Sequence, residues 1–159
     1  MDARDLLERL ATAKRTLAVA ESFTGGRLAD AFTNVPGSSR AFLGGVVAYT
    51  NEAKRGLLGV PESDLLVHGA ASGEVALALA RGVQERFGAD YAVATTGIAG
   101  PTGATPAKPI GLSCAAAVGA GHTRSDSKVL PGPRSAVKDA AVRQALDLLA
   151  RLLVDEGIL

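Results

Sequence analysis

Apolar positions in this chain repeat with two periods, and the periods alternate. Leu6, Leu7, Leu10 and Ala13 fall three and four apart, which predicts a helix over Asp2 to Ala13. A short unbroken apolar run, Thr16 to Ala20, then reads as a buried strand. Leu28, Ala31, Phe32 and Val35 return to helical spacing, predicting a helix from about Thr24 to Asn34 that Pro36 and Gly37 end. Phe42 to Tyr49 reads as a strand, and Asn51 can cap a short helix over Glu52 to Leu58, closed by Gly59 and Pro61. Ser72 is placed to cap a longer helix to Phe87, with Val75, Leu79 and Val83 on one face. Tyr91 to Thr95, Ile110 to Val118 and Lys128 to Leu130 read as strands, the last two joined by a polar turn around Gly119 to Asp126. Val137, Ala141, Ala145, Leu148 and Leu152 mark a final long helix. Interleaved helices and strands that finish in a hairpin predict a single domain, a three-layer α/β/α sandwich on a mixed β-sheet.

Two glycine-rich segments stand where apolar runs stop. ESFTGGR (Glu21 to Arg27) follows the first strand, and TGIAGPTGATPAKP (Thr96 to Pro109) follows the strand begun at Tyr91. The carboxyl ends of strands are where α/β proteins seat their ligands. Hydroxyls at Ser22, Thr24, Thr96, Thr102 and Thr105, with N–H groups freed by glycine, suit an anionic or acyl substrate.

Composition narrows the choice. The chain has 159 residues, is 47% hydrophobic, contains no Trp and carries a net charge of +1, so nothing in its charge favours nucleic acid or an acidic membrane. The single Cys114 rules out an internal disulfide framework and reads as a small buried hydrophobe. A charged start, MDARDLLERL, and the lack of any apolar stretch near the ~20 residues of a membrane span predict a cytoplasmic domain.

There is no GxxxxGK[ST], GxGxxG or GxSxG, and the literal GxxG at Gly100 to Gly103 and SxxK at Ser135 to Lys138 lack the flanking residues that would give them meaning. His68 and His122 have no Cys or carboxylate neighbours at metal-ligand spacing, so no metal and no cofactor are expected; His122 reads as a solvated turn residue, and His68 lies near a possible loop over the site.

Ser22 sits between a strand and a helix, as an N-cap hydroxyl or, if Thr24 does the capping, as a nucleophile. Gly25 and Gly26 would either expose first-turn N–H groups to an anion or allow tight backbone packing. Lys54 falls in a helix first turn, where the dipole disfavours a cation and lowers its pKa, as a lysine base requires; the alternative is an exposed lysine paired with Glu52. Tyr49 is either a core-edge aromatic or a ring for stacking a planar substrate.

AESFTGG, VVAYTNEAKRGLLGV (Val46 to Val60), TGIAGPTGATPAKPIG and LPGPRSAVKDAAVRQAL (Leu130 to Leu146) together resemble the C-terminal domain of CinA, the competence/damage-inducible protein, in order and spacing across nearly the whole chain. Stand-alone members are nicotinamide-nucleotide amidohydrolases. The resemblance implies hydrolysis of the amide of nicotinamide mononucleotide to nicotinic acid mononucleotide and ammonia, in pyridine nucleotide salvage, by a metal-independent homodimer. The alternative is a nucleotide-binding or regulatory domain of the same fold with little turnover. Carried over by position, Ser22 would be the nucleophile, Lys54 its base and Thr96 a hydroxyl supporting the nucleophile or the oxyanion. Tyr49 would contact nicotinamide or ribose, Arg134 would reach the phosphate, and Thr24, Gly25, Gly26 and Gly97 would complete the substrate contacts. Phe23, Pro133 and Lys138 stand where the family commonly has Cys, Asp and Arg. The long N-terminal domain of full-length CinA has no counterpart in these residues.

Overall fold

A computed structural model describes all 159 residues. Its centre is a five-stranded sheet in the order β2-β1-β3-β4-β5. The strands are β1 (Leu17–Glu21), β2 (Phe42–Val47), β3 (Tyr91–Gly97), β4 (Leu112–Val118) and β5 (Thr123–Val129). β1 pairs in parallel with β2 and β3, while β3–β4 and β4–β5 are antiparallel. The mixed sheet expected from the interleaved pattern is therefore present. β1 and β3 are buried on both faces, which is why they read as unbroken apolar runs.

Six helices cover the sheet: α1 (Ala3–Thr12), α2 (Arg27–Thr33), α3 (Asn51–Leu58), α4 (Glu62–His68), α5 (Gly73–Phe87) and α6 (Arg134–Asp155). On one face, Leu6, Leu7 and Leu10 of α1, Leu28 and Phe32 of α2 and Leu148, Leu149, Leu152 and Leu153 of α6 pack on Leu17, Val19, Tyr91 and Val93. On the other, Val75, Leu79 and Val83 of α5 and Leu58 of α3 pack on Ala18, Ala20, Ala92, Ala94, Cys114 and Ala116. Small alanines on this side let α5 lie close across the sheet. At Gly82 a Cβ would come 2.0 Å from the Leu58 carbonyl oxygen, so only glycine fits where α5 meets the end of α3.

Several expectations are corrected. α2 begins at Arg27 rather than near Thr24, because residues 22–26 form a turn capped from elsewhere. Thr50, not Asn51, caps α3, its hydroxyl accepting from the Ala53 N–H at 3.1 Å. α4 was not expected from the pattern, and β5 extends back into what reads as a polar turn. No helix is long and apolar enough to cross a membrane.

Candidate active site

The register of the sheet sets the site. Glu21 on β1 faces Thr95 on β3, and the Ser22 N–H continues the ladder by donating to the Thr95 carbonyl at 3.0 Å. Ser22 and Thr96 are therefore neighbours, one residue on, and alternation points both side chains to the α5 face. On the other side of β1, the Ala48 N–H donates to the Glu21 carbonyl at 2.8 Å, so the end of β2 lies against the same point. Lys54 then brings its ammonium back to this junction, donating to the Tyr49 carbonyl at 2.9 Å.

Ser22 is only 6% exposed, yet its hydroxyl makes no hydrogen bond within the chain and is not sealed from solvent, since no sealed side-chain polar atom lacks a partner. Lys54 is 1% exposed, forms no ion pair with Glu52, and makes no direct hydrogen bond to Ser22. Burial holds its pKa below the ordinary lysine range. Thr96 is buried too, and its hydroxyl donates to the Ala70 carbonyl at 2.7 Å. The structure thus gathers Ser22, Lys54 and Thr96 at the carboxyl ends of three adjacent strands.

The residues around Ser22 are organised by a group that pattern reading missed. The buried Glu21 carboxylate accepts from the Thr24 hydroxyl at 2.6 Å and from the N–H groups of Gly26, Leu28 and Ala29 at 3.1, 3.0 and 2.8 Å. It caps α2 in place of either hydroxyl. Its signal in the sequence was a carboxylate ending an otherwise apolar strand. Thr24 is wholly buried and also bonds the Thr95 hydroxyl at 2.7 Å, so it does not face the cleft. The Gly26 N–H is taken by Glu21 and the Gly25 N–H by the Ser22 carbonyl at 3.1 Å. Of the two readings of Gly25 and Gly26, exposed N–H groups or tight backbone, these bonds favour the second, and the Thr24 hydroxyl is likewise engaged. Gly25 and Gly26 are needed instead for left-handed backbone, at φ 60° and 106°. The amides left without an acceptor are those of Phe23 and Thr24, directly after Ser22. Gly97 is also explained by crowding, since a Cβ there would meet the Leu112 carbonyl at 2.3 Å and the Phe23 ring at 2.8 Å.

Basic groups lie around this strand junction. Arg134, first residue of α6, donates to the Gly100 carbonyl at 2.9 Å and to the Tyr49 hydroxyl at 3.1 Å, tying the 98–111 loop to the segment after β2. The Tyr49 ring is 55% exposed. Lys138, one turn along α6, places its Nζ 3.5 Å from where a Cβ on Gly25 would be, over the Ser22 turn. Lys108 reaches the carbonyls of His68 and Ala71. His68 lies near Glu74 at 3.7 Å and His122 pairs with Glu156 at 3.1 Å, both outside this cluster. No group of three or more His, Cys, Asp or Glu side chains is arranged to hold a metal ion.

The family model of the CinA C-terminal domain matches residues 2–153. The chain belongs to the CinA C-terminal domain family. Among related CinA sequences, a CinA-like protein of Gemmatimonas aurantiaca is 46% identical over 152 residues, covering 96% of this chain and 36% of its own. One from Mycolicibacterium paratuberculosis is 49% identical over 156 residues, with coverage of 95% and 36%. This CinA domain thus spans about a third of the length of the curated relatives it matches. Among solved structures, a CinA superfamily protein of Escherichia coli superposes with a TM-score of 0.91 at 34% identity, covering 95% of this chain and 88% of that one. A competence/damage inducible protein of Agrobacterium tumefaciens gives 0.88 at 39% identity, covering 96% of both.

Proposed function

We propose that this CinA domain is a metal-independent amidohydrolase of pyridine mononucleotides, converting nicotinamide mononucleotide to nicotinic acid mononucleotide and ammonia. The observation that carries the reading is a free serine hydroxyl beside Thr96, with a buried lysine of lowered pKa at the same strand junction. Burial that favours the neutral amine makes the lysine more available as a base than an exposed one.

In this mechanism Ser22 Oγ attacks the carboxamide carbon while its proton passes to Lys54 Nζ, directly or through one water. The carbonyl oxygen becomes an oxyanion, for which the unpaired Phe23 amide next to Ser22 is the candidate donor. Lys54 then gives its proton to the amide nitrogen, the C–N bond breaks, and ammonia leaves an ester on Ser22. Water attacks that ester, Lys54 takes the water's proton and returns it to Ser22, and the carboxylate product departs. Tyr49 offers a ring face to the pyridine or ribose, and Arg134 with Lys138 offers cationic donors to the phosphate.

The test is ammonia release from nicotinamide mononucleotide by purified protein, wild type against Ser22→Ala. The variant should stay folded and lose at least about 10³-fold in kcat. Near wild-type turnover by Ser22→Ala would remove the serine from the chemistry, and no ammonia from the wild type would leave only a nucleotide-binding domain.

A further inference from the structure

Thr96 has one hydroxyl proton, and the fold has already placed it. That proton goes to the Ala70 carbonyl at 2.7 Å, so towards Ser22 the residue presents only lone pairs. It can accept from an N–H or O–H in the cleft, but it cannot donate to an oxyanion or to a carboxylate.

What keeps the Ala70 carbonyl in place is unusual for a surface connection. Four consecutive carbonyls between α4 and α5 each accept from a side chain: His68 and Ala71 from the Lys108 ammonium, Gly69 from the Ser72 hydroxyl, and Ala70 from Thr96. Lys108 straddles the segment and comes from the 98–111 loop, after a tight turn in which Thr105 and Lys108 pair through both backbone groups. Gly69 leaves room for it, since a Cβ at that position would lie 2.8 Å from Lys108 Nζ. Without the ammonium, the His68 and Ala71 carbonyls lose their partner, and next to Ala70 only the Ser72 bond to Gly69 remains.

We propose that Lys108 is a positioning residue that sets amide specificity: by bracing 68–71 it fixes the Thr96 proton on Ala70 and makes Thr96 an obligate acceptor for the –NH2 of the substrate carboxamide. A carboxylate in the same place would set its oxygen against the Thr96 lone pairs, so the product is repelled where the substrate is held. This rests on the pyridine mononucleotide reading above, but its test does not need turnover.

Calorimetric titration of the Ser22→Ala protein with nicotinamide mononucleotide and with nicotinic acid mononucleotide gives the ratio of affinities. We expect the carboxamide to bind about tenfold or more tighter, because an acceptor left facing an acceptor loses a hydrogen bond and adds repulsion. Adding Lys108→Met should shrink the ratio to about threefold or less, chiefly by tightening the carboxylate once the Thr96 hydroxyl is free to turn and donate. Lys108→Arg, which can still donate to both carbonyls, should restore the preference. A merely structural role for Lys108 would weaken both ligands together and lower the unfolding temperature without tightening either. That outcome, equal affinities before Lys108 is changed, an unaltered ratio afterwards, or no binding of either ligand overturns the inference. Preference without ammonia release from the wild type would refute the enzyme and leave the inference standing.

Discussion

Replacing Glu21 by Ala should be among the most damaging single changes in the domain, and the size of the effect follows from its partners. The carboxylate takes three backbone N–H groups and one hydroxyl, all within 3.1 Å. Alanine leaves three N–H groups of the first turn of α2 without an acceptor, in surroundings where Leu28 is fully buried. Each orphaned donor costs about 1–3 kcal/mol, about 3–9 kcal/mol for the three, but water can reach the half-buried Gly26 and Ala29, so the net loss should be about 3–5 kcal/mol. At about 2–4 °C per kcal/mol for a domain of this size, the unfolding midpoint should fall by about 6–20 °C. Glu21→Gln keeps the shape but sets an NH2 against an N–H donor, and should lose about 1.5–3 kcal/mol. Guanidinium unfolding followed by circular dichroism measures both, and a Glu21/Thr24 double-mutant cycle should return a coupling of about 0.5–3 kcal/mol. A loss below about 1 kcal/mol for Glu21→Ala would refute the capping account, because it would mean that water satisfies α2 equally well.

Lys54→Met should abolish ammonia release while leaving the protein as stable or more stable at neutral pH. Burial lowers the folded-state pKa below the unfolded value of about 10.4, so the penalty is absent above that value, grows as pH falls towards the folded pKa, and is complete below it; the stability difference from wild type should vanish near about pH 11, and a variant clearly less stable at pH 7 would contradict this. Gly97→Ala should destabilise by about 1–3 kcal/mol through its clash with Leu112 and Phe23, and a fully stable variant with a raised KM would return Gly97 to a substrate role. Arg134→Ala should reduce the preference for nicotinamide mononucleotide over its riboside by on the order of 1.5–3 kcal/mol in kcat/KM, and a preference that survives would assign the phosphate to Lys138.

The parts of the fold legible in the sequence are those where burial is lopsided or total. β1 and β3 each begin with an unbroken apolar run, Leu17 to Ala20 and Tyr91 to Ala94, α5 and α6 carry long periodic stripes, and Ser72 caps α5 as its position suggests. α4 escaped because Leu66 and Val67 point outward, so its seven residues carry no core stripe. β5 escaped because it is an edge strand, with polar side chains on both faces and no period of two in its apolar residues. The start of α2 was misplaced because its cap comes from the strand before the turn rather than from the nearest hydroxyl. In the candidate site, Ser22 and Lys54 could be singled out from residue type and position, whereas Thr96 was one of five loop hydroxyls until the family resemblance distinguished it. Glu21 was marked only as a carboxylate ending an apolar run, and Lys108 not at all, because their roles lie in contacts that the fold makes, up to 40 positions apart for Lys108.

Ser22 and Thr96 become neighbours only when β1 and β3 zip together, a pairing that joins positions 74 apart in the chain and has strands on both sides. Closing so long a loop is slow and gains nothing until the ladder forms, so the chemical centre is born with the sheet and not before it. The converse holds on the way out. Fraying of α1 or of the β5 edge cannot part the two hydroxyls, and only dissolution of the central strands does so. In a denaturant series, catalysis should therefore persist to the global transition and end with it, leaving no partly folded species that retains a serviceable pair.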